Sequence, residues 1–376
     1  MINSSQTSDF KSLVLSKTPL IDVRAPIEFK KGSFPHAINL PLISDEERHL
    51  IGIKYKNYGN KEAVTLGHKL VSGEIKENRI KAWLDFKKDN PSAILYCFRG
   101  GQRSKIAQEW ISEYIPEIKR LKGGYKAFRN YLMNEIDNSP KYFKPLILGG
   151  HTGSGKTILL NKIQNSIDLE GLANHRGSTF GKQISSQPAQ IDFENSLAYE
   201  LIEKVNKGFS YLLFEDEGKY IGSIYIPKNF AQYLSNASII VLETSFEERI
   251  NITFDEYILK AQINYKKEFG KDYFVFWIND IRSAMERIQK RLGSMRHKVL
   301  KELFSDAIKE QEKNGSLEEY KHWIAYLLKE YYDPMYEYQL EKNREKIIFQ
   351  GSSSEIINYL KTLKNSYFYY IFFSFL

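Results

Sequence analysis

The chain has 376 residues, 42% of them hydrophobic, 14% aromatic and 27% charged, with a formal net charge of +8. That size and balance suit a globular protein of two or three domains, and the basic excess fits a polyanionic partner without requiring one. A single cysteine excludes an intramolecular disulfide, a metal–thiolate cluster and an in-chain resolving thiol.

The first residues, Met1–Thr7, show no charged stretch followed by an apolar core, so no secretory leader is expected. Residues 1–138 alternate short apolar strands with helical stretches, the pattern of a small α/β domain. Asp22 and Arg24 read as a structural ion pair or turn clamp near a strand end. Ala93–Tyr96 reads as a buried strand. After it comes Cys97-Phe-Arg-Gly-Gly-Gln-Arg103-Ser104, and Ile106, Trp110, Ile111 and Tyr114 then recur at helical spacing. The cysteine therefore lies on a glycine-rich turn from strand to helix, where free N–H groups and the positive end of a helix converge. With Arg99 and Arg103 close in sequence, that setting favours a reactive thiolate and a bound oxyanion. Gly100 and Gly101 give the turn its freedom, and Arg103 supplies a fork for the anion.

Asp137–Pro140 is a turn-rich break, and a second α/β unit opens with the strand Pro145–Leu148. Gly150-His-Thr-Gly-Ser-Gly155-Lys156-Thr157 fits the Walker A pattern between that strand and the helical Ile158–Ile163. Gly150, Gly153, Ser154 and Gly155 would fold backbone N–H groups around phosphate oxygens. Lys156 adds a point charge, and Thr157 reaches Mg²⁺. His151 reads as an exposed loop residue without a role. Tyr211–Phe214 and Ser238–Leu242 are further strands. Glu215 and Asp216 end the first of these either as a metal- or water-positioning pair or, with Glu217, as a solvated turn. His175 and Arg176, in a polar, glycine-flanked segment, read either as phosphate or base contacts or as a surface loop.

From about residue 250 to 345 the pattern is mostly helical, rich in charges and aromatics. Arg287, Lys290, Arg291, Arg296, Lys298 and Lys301 flank a Gly293-Ser294 break and form a candidate RNA-binding face, the alternative being an ordinary solvated helix. Trp323, Tyr331, Tyr332, Tyr336 and Tyr338 would either stack on bases or close a helical core. The expected domains are 1–138, 139–250 and 251–376, the last packed on the second. The apolar run Tyr367–Leu376 is too short to span a bilayer, and a cytoplasmic protein without a membrane partner is expected.

The run Ile21–Phe29, with Gly32–Pro41 and Leu121–Phe128, resembles the rhodanese family across roughly residues 10–137. That resemblance implies a cysteine that carries sulfane sulfur or selenium. Five residues separate Cys97 from Arg103, one more than in the common rhodanese loop. The longer ring is similar to the phosphate cradle of cysteine phosphatases, although Tyr96 stands where those carry His. A rhodanese-like domain followed by a Walker A domain resembles the bacterial tRNA 2-selenouridine synthase family. Leu66–Ile75, Arg99–Ser104, Gly149–Thr157, Asp168–Gly177, Leu213–Gly218 and Glu330–Tyr336 extend the match to about residue 362.

The resemblance implies a transferase that replaces sulfur by selenium in wobble 2-thiouridine of tRNAs for Lys, Glu and Gln. It also implies selenophosphate as donor, made by a partner enzyme, and an S-geranyl intermediate formed from geranyl diphosphate. On this reading Cys97 carries selenium, the Arg99–Arg103 loop holds selenophosphate, and the Walker loop holds the diphosphate with Mg²⁺. The rival reading is a small-molecule sulfurtransferase or cysteine phosphatase fused to a nucleotide-binding domain.

Overall fold

A computed structural model describes residues 6–373, with side chains to residue 363. The side chains of the Tyr367–Leu376 run lie outside the described residues. The chain forms two compact units, Met1–Lys141 with Pro188–Gly208, and Tyr142–Gln187 with Phe209–Leu376. Among the described residues no helix is long and apolar enough to cross a membrane.

The first unit is built on a five-stranded parallel sheet. Its strands are β1 (Gln6–Thr7), β2 (Leu20–Asp22), β3 (Ala37–Asn39), β4 (Ile94–Tyr96) and β5 (Arg120–Leu121), in the order β1-β5-β4-β2-β3. β2 and β4 are buried at every residue, as expected for parallel strands covered on both faces. Their pairing sets Ile21 opposite Leu95 and Asp22 opposite Tyr96, so Cys97 starts the turn at the carboxyl edge of the sheet. Ile21, Leu95, Ala107, Ile111 and Trp83 form the core on one side. Ser44 and Glu47 make a reciprocal capping box at the start of the helix Asp45–Leu70, which is broken at Gly59.

The helix Gln190–Asn206 belongs to this unit, although the sequence reading had set it inside the 139–250 domain. Specific polar contacts hold it. Ser33 N donates to Asp192 Oδ1 at 2.6 Å, Asn195 Nδ2 donates to Ser33 O, and Arg129 binds both Glu194 and Asn195 Oδ1. Periodicity reveals such a helix but not the partner its apolar face selects.

The second unit carries β6 (Lys144–Gly149), β7 (Ser166–Ile167), β8 (Tyr211–Glu215), the small hairpin β9 (Tyr220–Ile221) and β10 (Ile224–Tyr225), β11 (Ser238–Leu242) and β12 (Ile347–Gly351). Its main sheet is parallel in the order β12-β11-β6-β8-β7. The three strands read from the sequence are there. β12, not read as a strand, joins the edge beside β11 and ties the last part of the chain to the Walker sheet. A second core is helical, with Trp277, Phe304, Tyr320 and Trp323 buried among Ile281, Ile288 and Leu300. Two π-helical turns, Asp255–Leu259 and Leu328–Tyr332, interrupt those helices. Both place side chains in the wall of the phosphate-loop cavity described below, in keeping with the habit of π-turns to mark functional sites.

Candidate active site

In the first unit Cys97 follows β4 directly and is 3% exposed. Its Sγ lies 3.2 Å from Ser104 Oγ, and that hydroxyl donates to Gly101 O at 3.0 Å. The helix Gln102–Ser112 begins beyond the turn, as its sequence spacing predicts. The turn is clamped from behind. Cys97 O accepts from Tyr125 N at 2.8 Å, Phe98 O from Lys126 N at 2.9 Å, and Gly100 O from Arg120 Nη1 at 2.6 Å. The first two of these bonds satisfy amides at the start of the helix Gly124–Asn138. The approach is so close that a Cβ on Gly124, whose φ is +60°, would collide with Cys97 O and Gly100 N. The Gly123-Gly124 pair thus fixes the cysteine turn against a second helix.

Arg99 is exposed on the turn. Arg103 is otherwise engaged than the sequence reading expected. Its Nη1 and Nη2 bind Glu28 at 2.5 and 3.1 Å, so a carboxylate already fills the fork assigned to an anion. Burial pushes the Glu28 carboxyl up, but Arg103 outweighs that and holds it below its ordinary value. Glu28 is the residue sequence reasoning missed here, and the signal was its place in the Ile21–Phe29 run. Asp22 and Arg24 form the structural pair expected of them, buried and multiply bonded with Nη2–Oδ2 at 2.6 Å. The Arg24 guanidinium also lies 3.9 Å from the Tyr125 ring centre.

In the second unit the Walker turn leaves β6 and enters the short helix Lys156–Leu160. Gly153 sits at φ +80°, where a Cβ would come within 2.9 Å of Arg249 O. Lys156 Nζ donates to Gly150 O at 2.7 Å. Burial lowers the Lys156 pKa against the pull of Glu170, Glu217, Asp216 and Glu215. Arg249, buried, donates from Nε to Thr152 O at 3.0 Å, and its two terminal nitrogens bind Asp333 at 3.1 and 2.5 Å. Thr244 Oγ1 adds a bond to Ser154 O at 2.9 Å. None of these supports was read from the sequence, though Asp333 lies within the Glu330–Tyr336 run. His151, expected to be free in solvent, is half-buried with its ring 4.2 Å from that of Tyr336.

The Walker turn forms one side of a cavity of about 590 Å³. The other walls bring together Asp216 and Glu217, His175 and Arg176, and Tyr332 and Tyr336. Ser154 Oγ, His175 Nδ1 and Thr253 Oγ1 face this region buried and without a hydrogen-bond partner, the mark of a site built for a polar ligand. Glu215 does not line the cavity. It is 1% exposed, its Oε2 accepts from Leu169 N at 2.8 Å, and burial followed by the nearby Asp168 pushes its pKa to about 10. The reading of residues 215–217 as a solvated turn therefore fails for Glu215, whereas Asp216 is exposed and Glu217 half-buried, and both line the cavity. Burial, reinforced by Glu170, likewise pushes Glu217 to about 9. Arg176 is held by Glu256 at 3.0 Å, and burial lowers the His175 pKa.

Arg287, Lys290, Arg291 and Arg296 are exposed along the helices Tyr273–Leu292 and Ser294–Asn314, together with Lys298 and Lys301. Several have intramolecular partners: Arg287 Nη2 donates to Thr179 O at 2.9 Å and Arg296 pairs with Glu330 at 3.0 Å. Trp323 and Tyr331 are buried in the helical core, Tyr332 is buried there with its edge on the Walker cavity, and Tyr338 is exposed.

Two family models match the chain, one described as a rhodanese-like domain over residues 7–131 and one as the tRNA 2-selenouridine synthase AAA domain over residues 143–367. A tRNA 2-selenouridine synthase of a Sulfurovum species is 64% identical, covering 95% of this chain and 98% of its own. The enzyme of the same name from Hydrogenovibrio crunogenus is 47% identical, with 94% and 98% covered. That of Pseudomonas syringae pv. syringae is 41% identical, with 95% and 98% covered. With a cysteine turn in one unit and a phosphate loop in the other, and likeness along nearly the whole length of these relatives, the chain belongs to the tRNA 2-selenouridine synthase family.

Proposed function

We propose that this tRNA-modifying transferase divides its reaction between its two units. In the second unit the Walker cavity binds the diphosphate of geranyl diphosphate, and the 2-thio sulfur of wobble uridine displaces it to give the S-geranyl base. Gly150, Gly153, Ser154 and Gly155 shape the cradle, Lys156 stabilises the departing diphosphate, and Thr157 and Asp216 face the metal side. This hydroxyl and carboxylate would hold a Mg²⁺, which would supply positive charge to the departing diphosphate.

In the first unit selenophosphate, supplied by a partner enzyme, loads the Cys97 thiol with selenium as a perselenide; phosphate leaves and a small-molecule disulfide takes up the two electrons released. The terminal selenide attacks C2 of the base, and the geranylated sulfur leaves as a thiol, a far better leaving group than the sulfur of a thiocarbonyl. Two small-molecule thiols then split the S–Se bond, freeing the selenobase and Cys97 and regenerating the disulfide. Arg99 and the turn amides of Gly100 and Gly101 attract the donor's phosphate, while Arg103 acts by holding the turn through Glu28. The anticodon loops of tRNAs for Lys, Glu and Gln are the substrates, with Arg287, Lys290, Arg291 and Arg296 as contacts to phosphate. Such a substrate fits a cytoplasmic enzyme.

The observation that carries the reading is the cluster of unpartnered polar atoms around Lys156 in one unit, while the sole cysteine sits on a separate anion-compatible turn in the other. Geranylation and selenation measured separately for Cys97→Ala and Lys156→Ala test it. Cys97→Ala is expected to keep geranylation and lose selenation, and Lys156→Ala the reverse when geranylated tRNA is supplied. Loss of geranylation with full selenation in Cys97→Ala overturns the division.

A further inference from the structure

The first unit contains a cavity of about 670 Å³, the size of a small-molecule site, that takes no part in the chemistry so far. It is bounded by the broken helix Asp45–Leu70 and by the helix that leads away from the cysteine turn. Leu42, Ile43, Ile51, Val64, Ile106 and Trp110 make an apolar wall, and Gln102 and Arg103, from the first turn after Cys97, bring it to the reactive loop.

Three further observations bear on its occupant. Gly59, at φ 82°, breaks the helix Asp45–Leu70, a conformation that costs glycine little. On the same helix Leu50, Ile53, Tyr55 and Tyr58 are all exposed, a concentration of apolar surface that a monomeric protein rarely leaves without use. Arg48, Lys56 and Arg103 line the cavity together with one carboxylate, Glu28, which pairs with both arginines, and His49 and His68 add imidazoles, so a net basic border accompanies the apolar interior. The segment Leu66–Ile75, prominent in the sequence but without a chemical role there, contributes Gly67, His68 and Val71 to this wall.

A basic border around an apolar interior fits an apolar group carried by a polyanion. Among the described residues the Walker cavity has no comparable slot, since Ile158 and Ile252 alone give it aliphatic side chains and its other side chains are polar or aromatic. We propose that the cavity beside the cysteine turn binds the aliphatic chain of the S-geranyl base and so delivers that base to the selenium-carrying thiol. The inference rests on the S-geranyl reading above and adds a second, separate recognition site to it.

The test uses the full chain and two uncharged nucleosides, S-geranyl-2-thiouridine and S-methyl-2-thiouridine, neither of which carries a diphosphate for the Walker loop. Calorimetric titration is expected to show the geranyl nucleoside binding at least about tenfold more tightly than the methyl one. Val64→Phe, which fills the cavity, removes that advantage, while Lys156→Ala leaves it intact. Val64→Asn, which makes the wall polar without filling it, reduces it as well and guards against misfolding of the larger variant. Equal binding of the two nucleosides, or an advantage that survives both Val64 variants, overturns the proposal; so does an advantage lost in Lys156→Ala, which would lodge the chain at the Walker loop. Failure of the S-geranyl reading shows separately, as a wild-type protein that makes no geranylated tRNA from geranyl diphosphate.

Discussion

Arg249 and Asp333 are 84 positions apart and form a two-pronged ion pair behind the Walker turn, with the guanidinium Nε also donating to Thr152 O. A residue from the middle of the chain and one from near its end thus set the path of the phosphate loop. The arrangement explains why the Glu330–Tyr336 run belongs with the Walker motif although neither contains the other's chemistry.

Replacing Asp333 by Ala leaves the Arg249 charge buried without its partner. Breaking a buried pair from one side costs about 3–5 kcal/mol. The expected result is a fall of that order, or somewhat less because Asp333 is partly exposed, measured by urea unfolding. A raised KM for geranyl diphosphate is expected even at temperatures where the variant stays folded. Arg249→Lys should not restore it, because a point charge cannot replace the fork.

Gly124→Ala tests the clamp on the cysteine turn. The added Cβ meets Cys97 O and Gly100 N at a positive φ, so backbone must move. A loss of about 1–3 kcal/mol is expected, together with a drop in selenation larger than any drop in geranylation. Cys97→Ser, by contrast, should leave the melting temperature nearly unchanged and abolish selenation, since a hydroxyl is not a chalcogen acceptor.

The Cys97 turn and the Walker loop could be read from sequence because each is a contiguous string with strict backbone demands. Glycines at fixed positions, a strand before and a helix after leave few other readings. What escaped was assembled from distant segments. Glu28 captures Arg103, Asp333 captures Arg249, and Glu215 turns inward to Leu169 N while Asp216 and Glu217 face the cavity. A strand's side chains alternate, but the end of β8 gives no local sign of which carboxylate the sheet buries. The helix Gln190–Asn206 shows the same limit, since its partners are set by Ser33 and Arg129 more than 60 residues away.

Glu215 also sets a direction for the pH dependence of stability. Its folded pKa is near 10, against 4.5 as the ordinary value. Between those values the folded state holds a proton that the unfolded chain has released, so this contribution is complete below the lower value and is lost as pH rises to the upper. Glu215→Gln keeps an oxygen for Leu169 N and removes the ionisation. The variant is expected to gain on wild type as pH increases, by about 1 kcal/mol or more at pH 9, with little difference at pH 5. Urea unfolding at several pH values reads this directly, and parallel curves for the two proteins would refute it.

The basic helices make a quantitative claim about RNA. Each phosphate neutralised releases condensed counterions, so affinity falls with salt along a slope set by the number of contacts. Lys290 is the cleanest probe, because removing Arg287 or Arg296 also breaks a bond within the protein, to Thr179 O or to Glu330. Lys290→Ala is expected to lower the slope of log affinity against log salt by about 1 and to weaken binding evenly across tRNAs of different anticodon. Lys313→Ala, at the far end of the helix Ser294–Asn314, serves as the control and should leave the slope alone. An unchanged slope for Lys290→Ala, measured by filter binding from low to physiological salt, would remove this face from the RNA path and shift the search to the basic border around the cavity of the first unit.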